Sequence, residues 1–103
     1  MKSYKGKNVE GIILRYIDRA HGTIIDPKGK KCLVTFRGDF PGLEELQKAI
    51  GGYIDICYLP DGNVLIFDED GKSKGRPYNT HTSLMTEVEI YGRAILINKD
   101  YLR

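Results

Sequence analysis

Residues 43–62 constrain the fold of this chain more than any other stretch, because they spell a helix, a glycine stop, a strand and a turn in succession. Three apolar residues recur at helical spacing between charged ones: Leu43, Leu46 and Ile50. Gly51 stands where helices end in a left-handed residue, and Gly52 lets the chain reverse closely onto the helix. The stretch therefore predicts a helix packed on a β-hairpin.

The hairpin follows directly from the residues after the glycines. Residues 53–59 are rich in β-branched and aromatic side chains, and Pro60-Asp61-Gly62-Asn63 is a turn sequence leading into a second strand at 64–67. Residues 18–22 look turn-like, and so do residues 26–29. Further strands are predicted at residues 9–17, 23–25, 31–37 and 89–98.

These elements predict an α+β fold: a small, mostly antiparallel sheet with one main helix at about 42–50. A second short helical segment is expected at about 80–87, with Leu84 and Met85 facing inward. Asp39 is the expected N-cap of the main helix. Strand 31–37 carries apolar groups on both faces, which predicts a central position in the sheet. Residues 1–103 are expected to form a single domain, with a flexible end at 1–8.

Composition limits the kinds of function. The net charge is +2, from 16 basic and 14 acidic residues. Proteins that wrap duplex nucleic acid are usually far more basic, so the near-neutral charge argues against duplex binding. No window approaches the ~18 apolar residues of a membrane span, so we expect a soluble protein of the bacterial cytoplasm. Cys32 and Cys57 lie in apolar runs and are expected to be buried free thiols.

Signals for catalysis are sparse. The two histidines, His21 and His81, are far apart in sequence, and no serine or cysteine lies in a nucleophile motif. Asp68-Glu69-Asp70 gathers three carboxylates, but a solvated turn before Gly71 explains them. The segment is also too short for a calcium loop. The sequence therefore predicts a protein that is not an enzyme and holds no metal or cofactor.

A candidate binding segment lies at residues 72–82. It combines cations for phosphate, hydroxyl donors, an amide able to read a base edge, and a tyrosine able to stack. If a threonine caps a helix there, its free backbone N–H groups would also face an anion. The alternative is a solvated loop with an ordinary turn and cap. The predicted ligand residues are Lys74, Arg76, Tyr78, Asn79, Thr80, Thr82 and, after the double glycine, Tyr53.

Two motifs carry a family resemblance. They are L-x-x-L-Q-x-x-I-G-G-Y-I-[DE]-x-x-Y-L-P-D-G over residues 43–62 and G-R-P-Y-N over residues 75–79. Over roughly residues 24–97 the chain resembles a small domain of unknown function encoded mainly by phages and plasmids. It is similar in turn to phage proteins that sequester cyclic nucleotide signals of CBASS immunity.

The resemblance implies a function without chemistry: the protein would form a homo-oligomer and bind a cyclic di- or trinucleotide without cleaving it. A rival function is inhibition of a host protein by direct binding, for which an acidic strip is the candidate surface: Asp61, Asp68, Glu69 and Asp70. A second rival is a nucleic-acid binder that uses Lys28, Lys30, Lys31 and Arg37. An enzyme that degrades the signal is the least favoured.

Overall fold

The computed structural model of the protein describes residues 19–102. These residues contain five strands: β1 (His21–Ile25), β2 (Lys31–Thr35), β3 (Ile54–Tyr58), β4 (Asn63–Asp68) and β5 (Ala94–Asn98). They also contain two α-helices, α1 (Leu43–Ile50) and α2 (Thr80–Ser83), and a 3₁₀ turn at Lys99–Tyr101. The predicted flexible end at 1–8 and the predicted strand at 9–17 lie outside the described residues.

The five strands form one antiparallel sheet in the order β2-β1-β5-β4-β3. Two hairpins, β1-β2 and β3-β4, lie on either side of β5, which pairs with β1 and with β4. The predicted α+β class, with one main helix and a second short one, is confirmed. None of the helices in residues 19–102 is long and apolar enough to cross a bilayer.

Helix α1 is flanked by a glycine at each end. Gly42 is the N-cap, and its N–H donates to the Glu45 carboxylate, which also accepts the N–H of Arg37; both distances are 3.1 Å. These two backbone donors lower the pKa of Glu45 below its usual value. The predicted cap, Asp39, is therefore wrong. Gly51 ends the helix with a φ of 89°, as predicted.

The core on the helix side of the sheet follows the predicted apolar stripe only in part. Leu46 and Ile50 are buried against residues of β4 and β5. Leu43, predicted to face inward, is 60% exposed. At 100° per residue, Leu43 points about 60° away from Leu46 and about 20° away from Ile50, so it lies on the same face. Its exposure follows instead from its position as the first residue of α1, almost two turns before Ile50.

The opposite face of the sheet is covered by the chain between β4 and β5. Leu65, Phe67 and Ala94 pack there with Ile90, which is fully buried. A single bridge between Tyr78 and Tyr91 closes this segment on itself. The predicted strand at 89–98 is thus shorter than expected, because only Ala94–Asn98 joins the sheet.

Strand β2 lies at an edge of the described sheet, and its predicted central position is wrong. Leu33 is 62% exposed and Cys32 is also exposed, so the expectation of a buried thiol fails at Cys32. Cys57 is half-buried, and both cysteines are free. The physical reason is that β1 pairs with β2 on one side and with β5 on the other. Strand β2 therefore has only one neighbour in the described sheet. His21 and Gly22, predicted as part of a turn, belong to β1.

The predicted helical segment at 80–87 is helical only over Thr80–Ser83. Its inward side is formed by Thr82 and Ser83, and the Ser83 hydroxyl accepts the Ile90 N–H at 2.8 Å. The prediction that the next two residues face inward is therefore wrong. Leu84 is 80% exposed and Met85 is 40% exposed.

Candidate ligand site

The centre of the candidate site is an ion cluster at the end of β4. The Asp68 side chain is 1% exposed, and its Oδ2 accepts a hydrogen bond from Lys74 Nζ at 2.9 Å. Arg76 Nε lies 3.1 Å from the same oxygen in an ion pair, although its N–H does not point at that oxygen. Lys74 Nζ and Arg76 Nη2 both donate to the Gly51 carbonyl, at 3.3 and 3.0 Å. We call these four residues the Asp68 cluster.

The Asp68 cluster joins three parts of the chain that are distant in sequence. It links the end of α1, the end of β4 and the loop at 72–82. Burial alone would raise the pKa of the Asp68 carboxyl. The hydrogen bond from Lys74, the Asp70 N–H and the two positive charges outweigh it, so this pKa lies below its usual value.

The double glycine is required by this close approach. A Cβ atom at Gly52 would collide with Lys74 Nζ and would lie 2.9 Å from Asp68 Oδ2. Gly51 has a positive φ, and its carbonyl accepts the hydrogen bonds of Lys74 and Arg76. A Cβ atom at Gly51 would lie 2.9 Å from Arg76 Nη2. The two glycines therefore allow the cations of the loop to reach the end of the helix.

Beside the cluster lies an open cleft of about 460 Å³. Its wall combines the last turn of α1, the double glycine and the loop after β4. We call it the Tyr53 cleft, and its lining residues are Gln47, Lys48, Gly51, Gly52, Tyr53, Asp70 and Lys74. The Tyr53 residue is 67% exposed and the Lys74 side chain 38% exposed, so an aromatic ring and an ammonium group face the same space.

The structure brings Tyr53 and Lys74 together and places Arg76 next to them in the Asp68 cluster. The other predicted ligand residues lie elsewhere. Tyr78 packs against Tyr91 in an edge-to-face contact with 5.3 Å between ring centroids. Thr80 is exposed at the start of α2.

Asn79 and Thr82 are buried and have structural roles. Asn79 Nδ2 donates to the carbonyls of Ile25 and Gly92, both at 2.9 Å, and Asn79 Oδ1 accepts the Thr82 N–H at 3.1 Å. Asn79, rather than a threonine, is therefore the N-cap of α2. For Asn79, the alternative given in the sequence analysis, a loop with an ordinary turn and cap, describes the structure.

Sequence reasoning missed the structural role of Asp68. The expected solvated turn at 68–70 is wrong for this residue, and so is its inclusion in an exposed acidic strip, because its side chain is buried. A signal was present in the alternation of β4. Asp68 has the same parity as Val64 and Ile66, which face the helix side of the sheet, and so it points inward.

Among residues 19–102, no group of three His, Cys, Asp or Glu side chains lies close enough to hold a metal ion. The cations of the nucleic-acid hypothesis surround β2, where all four are exposed: Lys28, Lys30, Lys31 and Arg37. Arg37 lies next to α1, because its backbone N–H donates to the Glu45 carboxylate.

One comparison with known proteins gives a match. A family model described as "Domain of unknown function (DUF3846)" matches residues 20–101. This range contains all five described strands and the whole Tyr53 cleft. The predicted resemblance over roughly 24–97 is confirmed in this form, as membership of a family of unknown function. No curated protein and no solved structure is significantly similar to the chain.

Proposed function

The chain belongs to the DUF3846 family, and we propose that it binds a cyclic di- or trinucleotide in the Tyr53 cleft and sequesters it without cleaving it. In this proposal the protein acts in the bacterial cytoplasm as a phage-type inhibitor of nucleotide-based immunity. It needs no cofactor, because binding alone removes the signal.

The observation that supports the proposal is the pairing of Tyr53 with Lys74 in one cleft. A nucleotide presents a flat base and an anionic phosphate, and an exposed tyrosine ring next to an ammonium group suits both. Lys74 has three N–H donors, of which two are directed to Asp68 and Gly51. The third donor remains for a phosphate oxygen.

Charge in the cleft also favours an anion, by a small margin. Lys48 and Lys74 lie in its wall with one carboxylate, Asp70. The volume of about 460 Å³ lies within the range of small-molecule sites, and the cleft is open on one side. A homo-oligomer that closes this side with a second copy would suit a ligand whose two halves are nearly alike, and we include it in the proposal.

The test is calorimetric titration with a panel of cyclic di- and trinucleotides, followed by recovery of the ligand by chromatography. We expect submicromolar binding of at least one nucleotide and recovery of the ligand intact. Tyr53→Ala should weaken binding by about tenfold or more, since base stacking on an aromatic side chain contributes ~1–3 kcal/mol. Tyr58→Ala is the matched control, because Tyr58 is 69% exposed and lies outside the cleft.

Four outcomes would contradict the proposal. An absence of binding across the panel would contradict nucleotide binding. Equal losses of affinity in Tyr53→Ala and Tyr58→Ala would contradict the assignment of the site to the Tyr53 cleft. A ligand recovered in cleaved form would make the protein an enzyme. Binding of ordinary oligonucleotides with a steep salt dependence would instead favour the nucleic-acid hypothesis.

A further inference from the structure

Strand β3 forms an edge of the described sheet, and no strand within residues 19–102 pairs with its outer side, which we call the open side. The Glu69 N–H donates to the Tyr53 carbonyl, and the Leu59 N–H donates to the Asn63 carbonyl. In an antiparallel ladder this pattern directs the backbone groups of odd-numbered residues of β3 toward β4. The N–H and C=O groups of Ile54, Ile56 and Tyr58 therefore point to the open side.

The side chains along this edge differ between its two faces. On the helix side, Ile56 is 41% exposed and Tyr58 is 69% exposed, and both extend beyond the cover of α1. On the other side lies Asp55, which alternates with Ile54 and Ile56. The edge is thus apolar on one face and begins with a carboxylate on the other.

Two more carboxylates lie on the acidic face. Thr86 Oγ1 is 3.2 Å from Cys57 Sγ, which brings the segment at 84–88, including exposed Glu87, against this side of β3. Asp61 lies beyond the end of the strand, in a hollow that Leu59 and Met85 also line. Three carboxylates therefore lie on this face or next to it: Asp55, Asp61 and Glu87.

We propose that the open edge of β3 binds an extended segment of another protein, which alternates apolar residues with lysine or arginine and pairs as an added strand. The backbone bonds would supply affinity, and the two faces would select the side chains of the partner. Apolar residues would pack on Ile56 and Tyr58, and cations would meet Asp55 and Glu87. This surface is separate from the Tyr53 cleft and does not depend on a ligand there.

Charge favours such a partner over a second copy of this chain. Two β3 strands paired around Ile56 would place each Asp55 opposite Cys57 of the other copy. The two Asp55 carboxylates would then be diagonal neighbours, about 7–8 Å apart, with both Glu87 residues on the same face. Like charges at these positions oppose self-pairing, whereas lysine or arginine at the same positions is attracted.

Asp55 also controls the edge in the free protein. Its Oδ1 accepts the outward-facing N–H of Ile56 at 2.9 Å, so one donor of the open side is already bonded. Such protection opposes indiscriminate strand pairing. When a partner strand binds, its carbonyl takes this N–H and the released carboxylate pairs with a cation of the partner.

The experiment uses the whole chain and two labelled peptides of about ten residues, enough to span β3. One peptide alternates valine with lysine and the other alternates valine with glutamate, and fluorescence anisotropy measures binding. We expect the lysine peptide to bind about tenfold or more tightly than the glutamate peptide. The amide NMR signals of Ile54, Ile56 and Tyr58 should shift as the lysine peptide is added.

Matched variants separate this edge from general electrostatic attraction. Ile56→Lys should abolish binding, while Leu43→Lys, on α1 and 60% exposed, should leave it unchanged. Asp55→Asn keeps an acceptor for the Ile56 N–H and should weaken binding of the lysine peptide. Glu44→Gln, the same loss of charge on the exposed side of α1, should not weaken it.

Binding of neither peptide, equal binding of both, or equal effects of the matched variants would overturn the inference. Analytical sedimentation of wild type and Ile56→Lys tests whether β3 pairs with a second copy of this chain instead. A wild-type dimer that Ile56→Lys converts to a monomer would assign the edge to self-association, and the inference would again fail. Failure of nucleotide binding in the calorimetric titration would leave this inference intact, because the two sites have no residue in common.

Discussion

At the scale of single residues, Asp68 is the side chain that does most to hold the candidate site together. It is a buried carboxylate with two cationic partners, and these partners reach the end of α1 through the Gly51 carbonyl. Buried ion pairs add little net stability compared with apolar residues, but removing one partner leaves the other charges uncompensated. The loop at 72–82 should therefore depend strongly on this one residue.

Asp68→Asn should lower the free energy of unfolding by about 1–3 kcal/mol at neutral pH. Removing one partner of a fully buried ion pair can cost about 3–5 kcal/mol. We expect less here, because the Lys74 and Arg76 side chains are each about a third exposed. Urea unfolding measures the change. Glu69→Gln is the control, since Glu69 is exposed and its replacement should have almost no effect.

Wild type and Asp68→Asn should also differ in how their stability depends on pH. The pKa of Asp68 is lower in the folded protein than in the unfolded chain, so its contribution is complete above the unfolded pKa. It is lost as the pH falls below about 4, through the lower folded pKa. Wild type should therefore lose more stability than Asp68→Asn between pH 6 and pH 3, and equal losses would contradict the assigned role of the ion pairs.

Single residues were also where sequence reasoning was least reliable. Gly51 was predictable because a helix end needs a left-handed residue, whatever lies around it. The roles of Asp68 and Asn79 were not predicted, since each depends on contacts between distant parts of the chain. In the Asp68 cluster these are the bonds of Lys74 and Arg76 to Gly51, 23 and 25 positions away. Asn79, for example, bonds to Ile25, 54 positions away. Polar residues near turns look solvated until the tertiary contacts are known.

At the scale of elements, α1 is held by the later part of its apolar stripe. Leu46 is 5% exposed and Ile50 is 1% exposed, and both pack on the sheet. The first apolar position, Leu43, adds little to this contact because it lies in the first turn of α1 and is 60% exposed. The two leucines of one helix thus differ sharply in environment.

Leu46→Ala should lower the free energy of unfolding by about 2–5 kcal/mol, because it removes buried atoms and leaves a cavity. Leu43→Ala should cost less than about 0.5 kcal/mol, since most of that side chain is already in water. Thermal or urea unfolding of both variants measures the difference. Similar losses in the two variants would mean that the helix packs differently from the arrangement described here.

Elements with local signals were predicted well, and elements placed by pairing were not. The helix, its glycine stop and the β3-β4 hairpin were all predictable from neighbouring residues. The edge position of β2 was not, because it depends on β5 pairing with β1 from the far end of the chain. Two apolar faces in a strand therefore did not mean a central strand.

At the scale of the whole molecule, the protection of backbone amides from hydrogen exchange should decrease from the middle of the sheet to its edges. The amides of β4 and β5 lie between paired strands, whereas β3 has one open side. Native-state hydrogen exchange measured by NMR should show the slowest exchange in β4 and β5. Within β3, the outward-facing amides of Ile54 and Tyr58 should exchange faster than those of Asp55 and Cys57. Uniform exchange along β3 would contradict the open edge.

The position of β5 between the two hairpins has a consequence for the rate of folding. Each hairpin joins residues that are close in sequence, but the pair Gly22 and Ile97 joins positions 75 residues apart (97 minus 22). Closing so long a stretch of chain costs entropy before its contacts form, which slows folding. We therefore expect the two hairpins to form early and separately, and the arrival of β5 between them to be the slow step.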